Sequence, residues 1–371
     1  MRRLRIGVNA LYLLPGQVGG TEIYLRNLLG ALAEIDSEND YFLFTNRETG
    51  TNLSPPGANF QILEQPLRAA FRPARIFWEQ TVLPVQVAAA RIDVLLNPGF
   101  TGPLICGCPQ VTVFHDLQHK RHPEHFRWFD LPFWRFFLYW AAHLSRIVLA
   151  DSAVTSRDLT AFYRLSAQKI RVVPLGVEPK FFAIAAVRRP EPFLLTVSTL
   201  HPHKNLDRLL RAFGVFHRTH PEFRLVVTGL RGFHTAQLEC LRKDLGLAGS
   251  VDFPGWIPRE DLYDLFARAW AFVYPSTFEG FGLPVLESLA AGVPTACSGI
   301  EPLASMASSA ALQFDPANDD ELLRTLEQLA SDGELRERLA RDGPARAAQF
   351  SWRATGESTL AALREAATSS I

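Results

Sequence analysis

Along the chain, short and nearly continuous apolar runs alternate with longer segments whose apolar residues recur at helical spacing. The runs at 6–11, 41–45, 93–97, 110–114, 146–152 and 170–174 each stop at polar, glycine or proline residues. Such runs read as strands buried on both faces. Between them, 23–32 carries the period of an amphipathic helix. Residues 178–192, with Arg188-Arg189-Pro190, lack periodicity and suit a linker. The pattern then restarts, with strands at 193–197, 225–229, 251–254 and 269–276 and helices at 205–215 and 284–291. Strands alternating with helices predict an α/β class built from doubly wound parallel sheets. Two such halves are expected to be two Rossmann-like domains facing an interdomain cleft that holds the ligand.

Length and composition narrow the picture. At 371 residues the chain can form two domains with a core each. It is 47% hydrophobic and 20% charged, an ordinary globular balance. Its 38 basic and 38 acidic residues cancel, so net charge points to no nucleic-acid partner. Cys106, Cys108, Cys240 and Cys297 have no zinc-like spacing, and all four read as reduced thiols of a cytoplasmic protein. The basic start, Arg2-Arg3-Leu4-Arg5, is followed by an apolar run broken at Asn9 and stopped at Pro15-Gly16, which suits a first strand better than a signal peptide. The aromatic-dense segment 126–140 is too short, and too interrupted by Arg127, Asp130 and Arg135, to span a membrane. Core packing is its default reading. Peripheral contact with the cytoplasmic face of the membrane, or with a lipid-linked substrate, is the sharper alternative.

Candidate chemistry gathers at predicted strand ends. In Phe278-Glu279-Gly280-Phe281-Gly282-Leu283-Pro284-Val285-Leu286-Glu287, a strand ends, a glycine loop follows and a helix begins. Pro284 suits the first turn and Gly292 the end of that helix. A helix start behind a glycine loop offers unpaired N–H groups and partial positive charge to phosphate. Glu279 and Glu287 suit sugar hydroxyls, as acceptors. In Ser198-Thr199-Leu200-His201-Pro202-His203-Lys204-Asn205, Lys204 stands beside small hydroxyls before a helix, a placement for a phosphate-binding cation. Gly229 closes another strand, and Trp256-Ile257 could wall a flat base. In the first half, Gly19-Gly20 would admit a ligand close to the backbone, with Thr21 as a helix cap. His115-Asp116 follows the 110–114 strand directly, where a histidine could bond a polyol or simply the local backbone. Carboxylates for hydroxyls, with a lysine and helix amides for phosphates, indicate a nucleotide sugar. The chain has no Asp-x-Asp element and no G-x-x-x-x-G-K-[ST] loop, so neither a metal bridging the diphosphate nor an NTPase is expected.

The stretch 274–287 resembles the signature of the retaining family 4 glycosyltransferases of the GT-B fold, and the chain is similar to bacterial mannosyltransferases of surface-polysaccharide assembly. Gly19-Gly20-Thr21-Glu22, Phe77-Trp78-Glu79-Gln80, Phe114-His115-Asp116-Leu117, Val173-Pro174-Leu175-Gly176-Val177, Lys204-Asn205 and Phe350-Ser351-Trp352 extend the resemblance along the chain. It implies an acceptor-binding domain at 1–177, a donor-binding domain at 178–350 and a final helix at 351–371 that crosses back to the first. It further implies that Glu279 contacts the donor sugar and Glu287 the nucleotide ribose. Lys204 and the amides of Phe281, Gly282 and Leu283 would take the leaving diphosphate, with Ser198, Thr199, Gly229 and Gly280 beside them. His115 would face the sugar, and Gly19-Gly20 would lie near phosphate and acceptor. The expected activity is metal-independent transfer of a hexose, mannose favoured, from GDP-mannose or another nucleotide sugar to a glycan or lipid-linked oligosaccharide. Three departures stand out: His203 where an arginine is usual, Ser198 where a glycine is usual, and Leu303-Ala304-Ser305-Met306-Ala307 where the family carries an acid. A weakened, nucleotide-sugar-binding scaffold and a GT-B enzyme using UDP- or dTDP-sugars are the competing expectations.

Overall fold

Both halves of the chain turn their apolar runs into a single parallel sheet. The computed structural model describes residues 2–368 apart from Pro56, Ala58 and Arg127. It divides into two units, Met1–Gly176 with Trp352–Ile371, and Val177–Ser351. The first contains β1 (Arg5–Asn9), β2 (Asp40–Thr45), β3 (Phe60–Glu64), β4 (Val94–Asn97), β5 (Gln110–Phe114), β6 (Ile147–Ala150) and β7 (Ile170–Val172), in the order β3-β2-β1-β4-β5-β6-β7. The second contains β8 (Glu191–Val197), β9 (Arg224–Thr228), β10 (Val251–Gly255), β11 (Ala269–Tyr274), β12 (Thr295–Ser298) and β13 (Leu312–Phe314), in the order β10-β9-β8-β11-β12-β13. Every neighbouring pair is parallel. Strands β4, β5, β6 and β12 are buried at every residue, and in β4 and β6 that double-sided burial gives runs without alternation.

Strand order reverses between β1 and β4 in the first sheet and between β8 and β11 in the second. In open parallel sheets a crevice forms at the carboxyl ends of the strands at such a switch point. The loops that leave β8 and β11 are the ones carrying Lys204 and Glu279.

The helix Trp352–Thr368 belongs to the first unit. Its Gly356 lies against Ala31 and Ile35 of the helix Gly20–Ile35, and Thr355 donates to the Pro174 carbonyl at 2.8 Å.

Two expectations need correction. Residues 178–192 are not a linker, because they contain the helix Pro179–Ala185, which buries Phe181 and Ile184. Arg188 is tied to the carbonyls of Gly292 and Ala269, the latter at 2.6 Å, and burial pulls its guanidinium down to about 10. A helix of two turns with one apolar pair is too short to show a period, and Pro179 marks its first turn. The second correction concerns the aromatic segment. Leu138, Ala141 and Ala142 are the buried face of the helix Leu131–Leu144, while Trp128, Phe129, Phe136, Tyr139 and Trp140 are exposed. Arg127 lies outside the described residues. Among the described residues no helix is long and apolar enough to cross a membrane.

Candidate active site

Two loops at the switch point of the second sheet are fastened to each other by backbone. The His203 carbonyl accepts from the Thr277 N–H at 2.7 Å, from Ser276 Oγ at 3.0 Å and from Thr277 Oγ1 at 3.1 Å. Asn205 takes a left-handed conformation (φ 56°), one that asparagine tolerates well, and starts the helix Leu206–Phe216. Its side chain donates to the Pro316 carbonyl at 2.9 Å. Lys204 is thereby aimed at the end of β11, where its Nζ lies 2.5 Å from Glu279 Oε1 and 3.0 Å from the Tyr274 hydroxyl. Lys204 and Glu279 side chains are only 13% and 9% exposed. Burial, then the Glu279 charge and its hydrogen bond, hold the Tyr274 phenol well above its ordinary range, so it stays neutral. A cation and an anion held together at a crevice mouth can serve a diphosphate and a polyol at once.

Beyond Glu279 the chain turns into the helix Leu283–Ala290 through Gly282, at φ 105°. A Cβ on Gly282 would lie 2.2 Å from Leu303 Cδ2, so both backbone and space require glycine here. The N–H groups of Phe281, Gly282 and Leu283 have no hydrogen-bond partner among the described residues. Three adjacent unsatisfied donors at a helix start form an anion-binding array. Leu303, in the segment where the resembled family carries an acid, is the residue that packs onto Gly282.

Glu287 projects from the same helix and is buried, with a 4% exposed side chain. Arg259 Nη2 donates to Glu287 Oε1 at 2.5 Å and to Glu178 Oε1 at 2.7 Å. Burial raises the Glu287 carboxyl, Arg259 opposes that rise by charge and hydrogen bond, and Glu178 adds to it. The sequence reading found neither Arg259 nor Glu178. Its only available signal was the pair of glutamates, since nothing in spacing links residues that far apart.

The remaining candidates fall into separate places. Ser198 follows β8 directly, with its hydroxyl buried and unpartnered among the described residues. Thr199 follows, its carbonyl accepting from the His201 N–H. Gly229 is required by packing: at φ 143° its Cβ would lie 2.1 Å from the Ser198 carbonyl oxygen. Trp256 is exposed. Ile257 lines a groove with Glu191, Phe193, Arg224 and Phe253, to which Lys204 does not contribute. Gly280 is half-buried in the Glu279 loop.

In the first domain, Gly19 (φ 59°) is the residue before the helix Gly20–Ile35, and Gly20 begins it. Thr21 does not cap that helix, because it lies inside it and donates to the Val18 carbonyl at 2.9 Å. His115 sits between the edges of Tyr24 and Phe100, with Nδ1 2.6 Å from Asp151 Oδ2 and Nε2 3.0 Å from the Pro98 carbonyl oxygen. Both ring nitrogens are therefore engaged inside the domain, and neither is open to a sugar hydroxyl as expected. Burial lowers the imidazole, but the charge and hydrogen bond of Asp151, with Pro98 and Asp116, outweigh it and leave the group raised. A carboxylate on one nitrogen and a carbonyl on the other together favour the doubly protonated ring.

Two parallel α/β domains with polar groups at the strand carboxyl ends define the GT-B class. Over 98% of this chain and 99% of the other, the structure matches sucrose-phosphate synthase from Thermosynechococcus elongatus at TM-score 0.78 and 19% identity. It matches the Anabaena protein HepE, solved with UDP-glucose, at TM-score 0.73 and 19% identity, over 98% and 100% of the two chains. Residues 18–181 fit the family described as Glycosyltransferase Family 4, and residues 177–346 the family described as Glycosyl transferases group 1. The chain belongs to these glycosyltransferases. Among curated relatives it is 28% identical over 253 residues to O-antigen chain mannosyltransferase B of Escherichia coli, covering 65% of this chain and 66% of that one. The chain spans between 54% and 66% of the length of the first curated relatives it matches.

Proposed function

We propose that the protein transfers a hexose, mannose favoured, from a nucleoside diphosphate sugar to a glycan or lipid-linked glycan, retaining the anomeric configuration. The observation that carries this reading is the buried Lys204–Glu279 pair beside the unpartnered N–H groups of Phe281, Gly282 and Leu283. In the reaction the bond from the sugar's anomeric carbon to the diphosphate oxygen breaks, and a bond to an acceptor hydroxyl oxygen forms on the same face. The acceptor proton passes to the leaving diphosphate. Lys204 and the three amides stabilise the charge that develops on the diphosphate, and Glu279 stabilises the cationic sugar ring and holds its hydroxyls. Glu287 takes the ribose. Preorganised donors aimed at developing charge are the largest catalytic contribution in such sites, so the reading needs no divalent cation.

The relatives named as mannosyltransferases favour mannose, and with it GDP-mannose, whereas the HepE complex keeps a UDP-sugar in view as the donor. A scan of GDP, UDP and dTDP by thermal shift decides the base, because a ligand that binds only the folded state raises Tm by mass action. Transfer then fails on Glu279→Ala if Glu279 holds the sugar, and equal single-turnover rates in wild type and variant refute that role. His115 enters the proposal through the imidazolium form that Asp151 and the Pro98 carbonyl favour, which contributes charge. Exposed Trp128 and Phe129, and Phe136 and Trp140 on the helix that also carries Arg135, support peripheral attachment to an anionic membrane surface. Failure to pellet with anionic vesicles removes that part of the proposal.

A further inference from the structure

Arg259 and Glu178 form a largely buried charge triad with Glu287, and the reaction described above uses neither of the first two. Arg259 lies at the start of the helix Arg259–Arg268, and Tyr263, one turn on, shares its face. Its Nη2 reaches both carboxylates, at 2.5 Å and 2.7 Å, and its Nε lies 3.3 Å from Glu178 Oε2. The Tyr263 hydroxyl also donates to Glu178 Oε2. The guanidinium lies 4.9 Å from the Phe181 ring centre and 5.6 Å from that of Tyr263, which adds cation–π attraction on an apolar floor. Glu287 Oε2, by contrast, has no hydrogen-bond partner among the described residues and is not sealed from solvent.

We propose that Arg259 is a positioning residue: by bridging Glu178 and Glu287 it keeps Glu287 an anion, occupies Oε1 and leaves Oε2 facing a ligand diol. The inference rests on the reading of Glu287 as the ribose ligand and adds the group on which that role depends. Two carboxylates and one cation leave a single net negative charge. Without the guanidinium, the buried Glu287 and the partly buried Glu178 would share one site and one carboxylate would take up a proton. A protonated carboxyl is a donor as well as an acceptor, and no longer suits two donating hydroxyls. The groups acting on the Glu287 charge are Arg259 and Glu178, and Glu287 in turn acts on the Tyr274 phenol.

The test measures affinity by calorimetry for GDP and UDP and for their 2′,3′-dideoxy counterparts, on wild type, Arg259→Gln, Arg259→Lys and Glu178→Gln. Wild type should prefer the ribose form of the better base on the order of ten- to a hundred-fold, as for hydrogen bonds to a charged group. Arg259→Gln should lose most of that preference near pH 7 and regain it near pH 9, where Glu287 ionises unaided. Its affinity for the dideoxy form should stay within about threefold, which a merely structural role of Arg259 would not predict. Arg259→Lys restores a cation and should restore the preference. Glu178→Gln leaves Arg259 to Glu287 alone and should keep it, which carries the test even if Arg259→Gln does not fold. A wild-type preference in Arg259→Gln, its absence at both pH values, or its loss in Glu178→Gln overturns the inference. Equal binding of ribose and dideoxy forms by wild type, or no binding, overturns the ribose reading itself.

Discussion

Replacing Gly282 by alanine probes the turn on which the candidate phosphate array depends. Gly282 sits at φ 105° and ψ 45°, a conformation that costs an L-residue about 1–2 kcal/mol. The new Cβ would lie 2.2 Å from Leu303 Cδ2 and 3.4 Å from Met306 Cε, and such overpacking of a core costs about 1–3 kcal/mol. The sum is about 2–5 kcal/mol, which for a domain of this size lowers Tm by roughly 4–20 °C. Leu303→Ala removes the clashing atom but leaves the backbone conformation. In that background the alanine should cost only about 1–2 kcal/mol, so the two changes couple by about 1–3 kcal/mol. Urea unfolding of wild type, both single variants and the double variant measures the cycle. An identical cost of Gly282→Ala in both backgrounds refutes the packing argument. Because the helix start must shift to relieve the clash, the three amides move as well. Nucleoside diphosphate affinity in Gly282→Ala should fall by about tenfold or more, and be partly restored in the double variant.

Lys204→Met strands Glu279 in a nearly buried site, which should destabilise the protein by a few kcal/mol, on the order of 3–5 for a broken buried pair. Chemical denaturation should find the double variant Lys204→Met/Glu279→Gln more stable than Lys204→Met alone. His115→Gln tests the imidazolium: a raised folded value means stabilisation fully present below the ordinary histidine value and lost as pH rises through the folded one. The stability gap between wild type and His115→Gln should therefore be larger near pH 6 than near pH 9, and a gap that widens with pH contradicts the assignment. Phe181→Ala should cost about 3–5 kcal/mol of unfolding free energy, since the helix Pro179–Ala185 packs as core and not as a tether. Turnover should be unchanged by EDTA, and restoration of a chelated, inactive enzyme by magnesium or manganese would exclude a metal-independent site.

The sheets were legible because their central strands are buried on both faces, so 147–150 and 269–274 stand out as unbroken apolar runs. Strand β3 was not, since its Phe-Gln-Ile-Leu-Glu pattern is only partly buried at the sheet edge. Strands β12 and β13 also escaped the sequence reading: β12 is a buried Thr-Ala-Cys-Ser segment with little apolar character, and β13 spans only Leu312–Phe314. In the site, Lys204, Glu279 and the glycine loop were visible because each follows a strand directly. Their mutual pairing was not, because it depends on the reversal of strand order between β8 and β11. Arg259 and Glu178 were invisible for the same reason, and Glu178 fell inside a stretch read as linker. His115 was found, but its engagement by Asp151 and Pro98 could be known only once β4, β5 and β6 were set side by side.

The account stands or falls on nucleotide-sugar binding at the Lys204–Glu279 loops. Purified protein incubated with GDP-, UDP- and dTDP-sugars should bind one of them and slowly release its nucleoside diphosphate, and Glu279→Ala and Glu287→Ala should each lose that activity. Neither binding nor hydrolysis of any sugar nucleotide across the panel contradicts it.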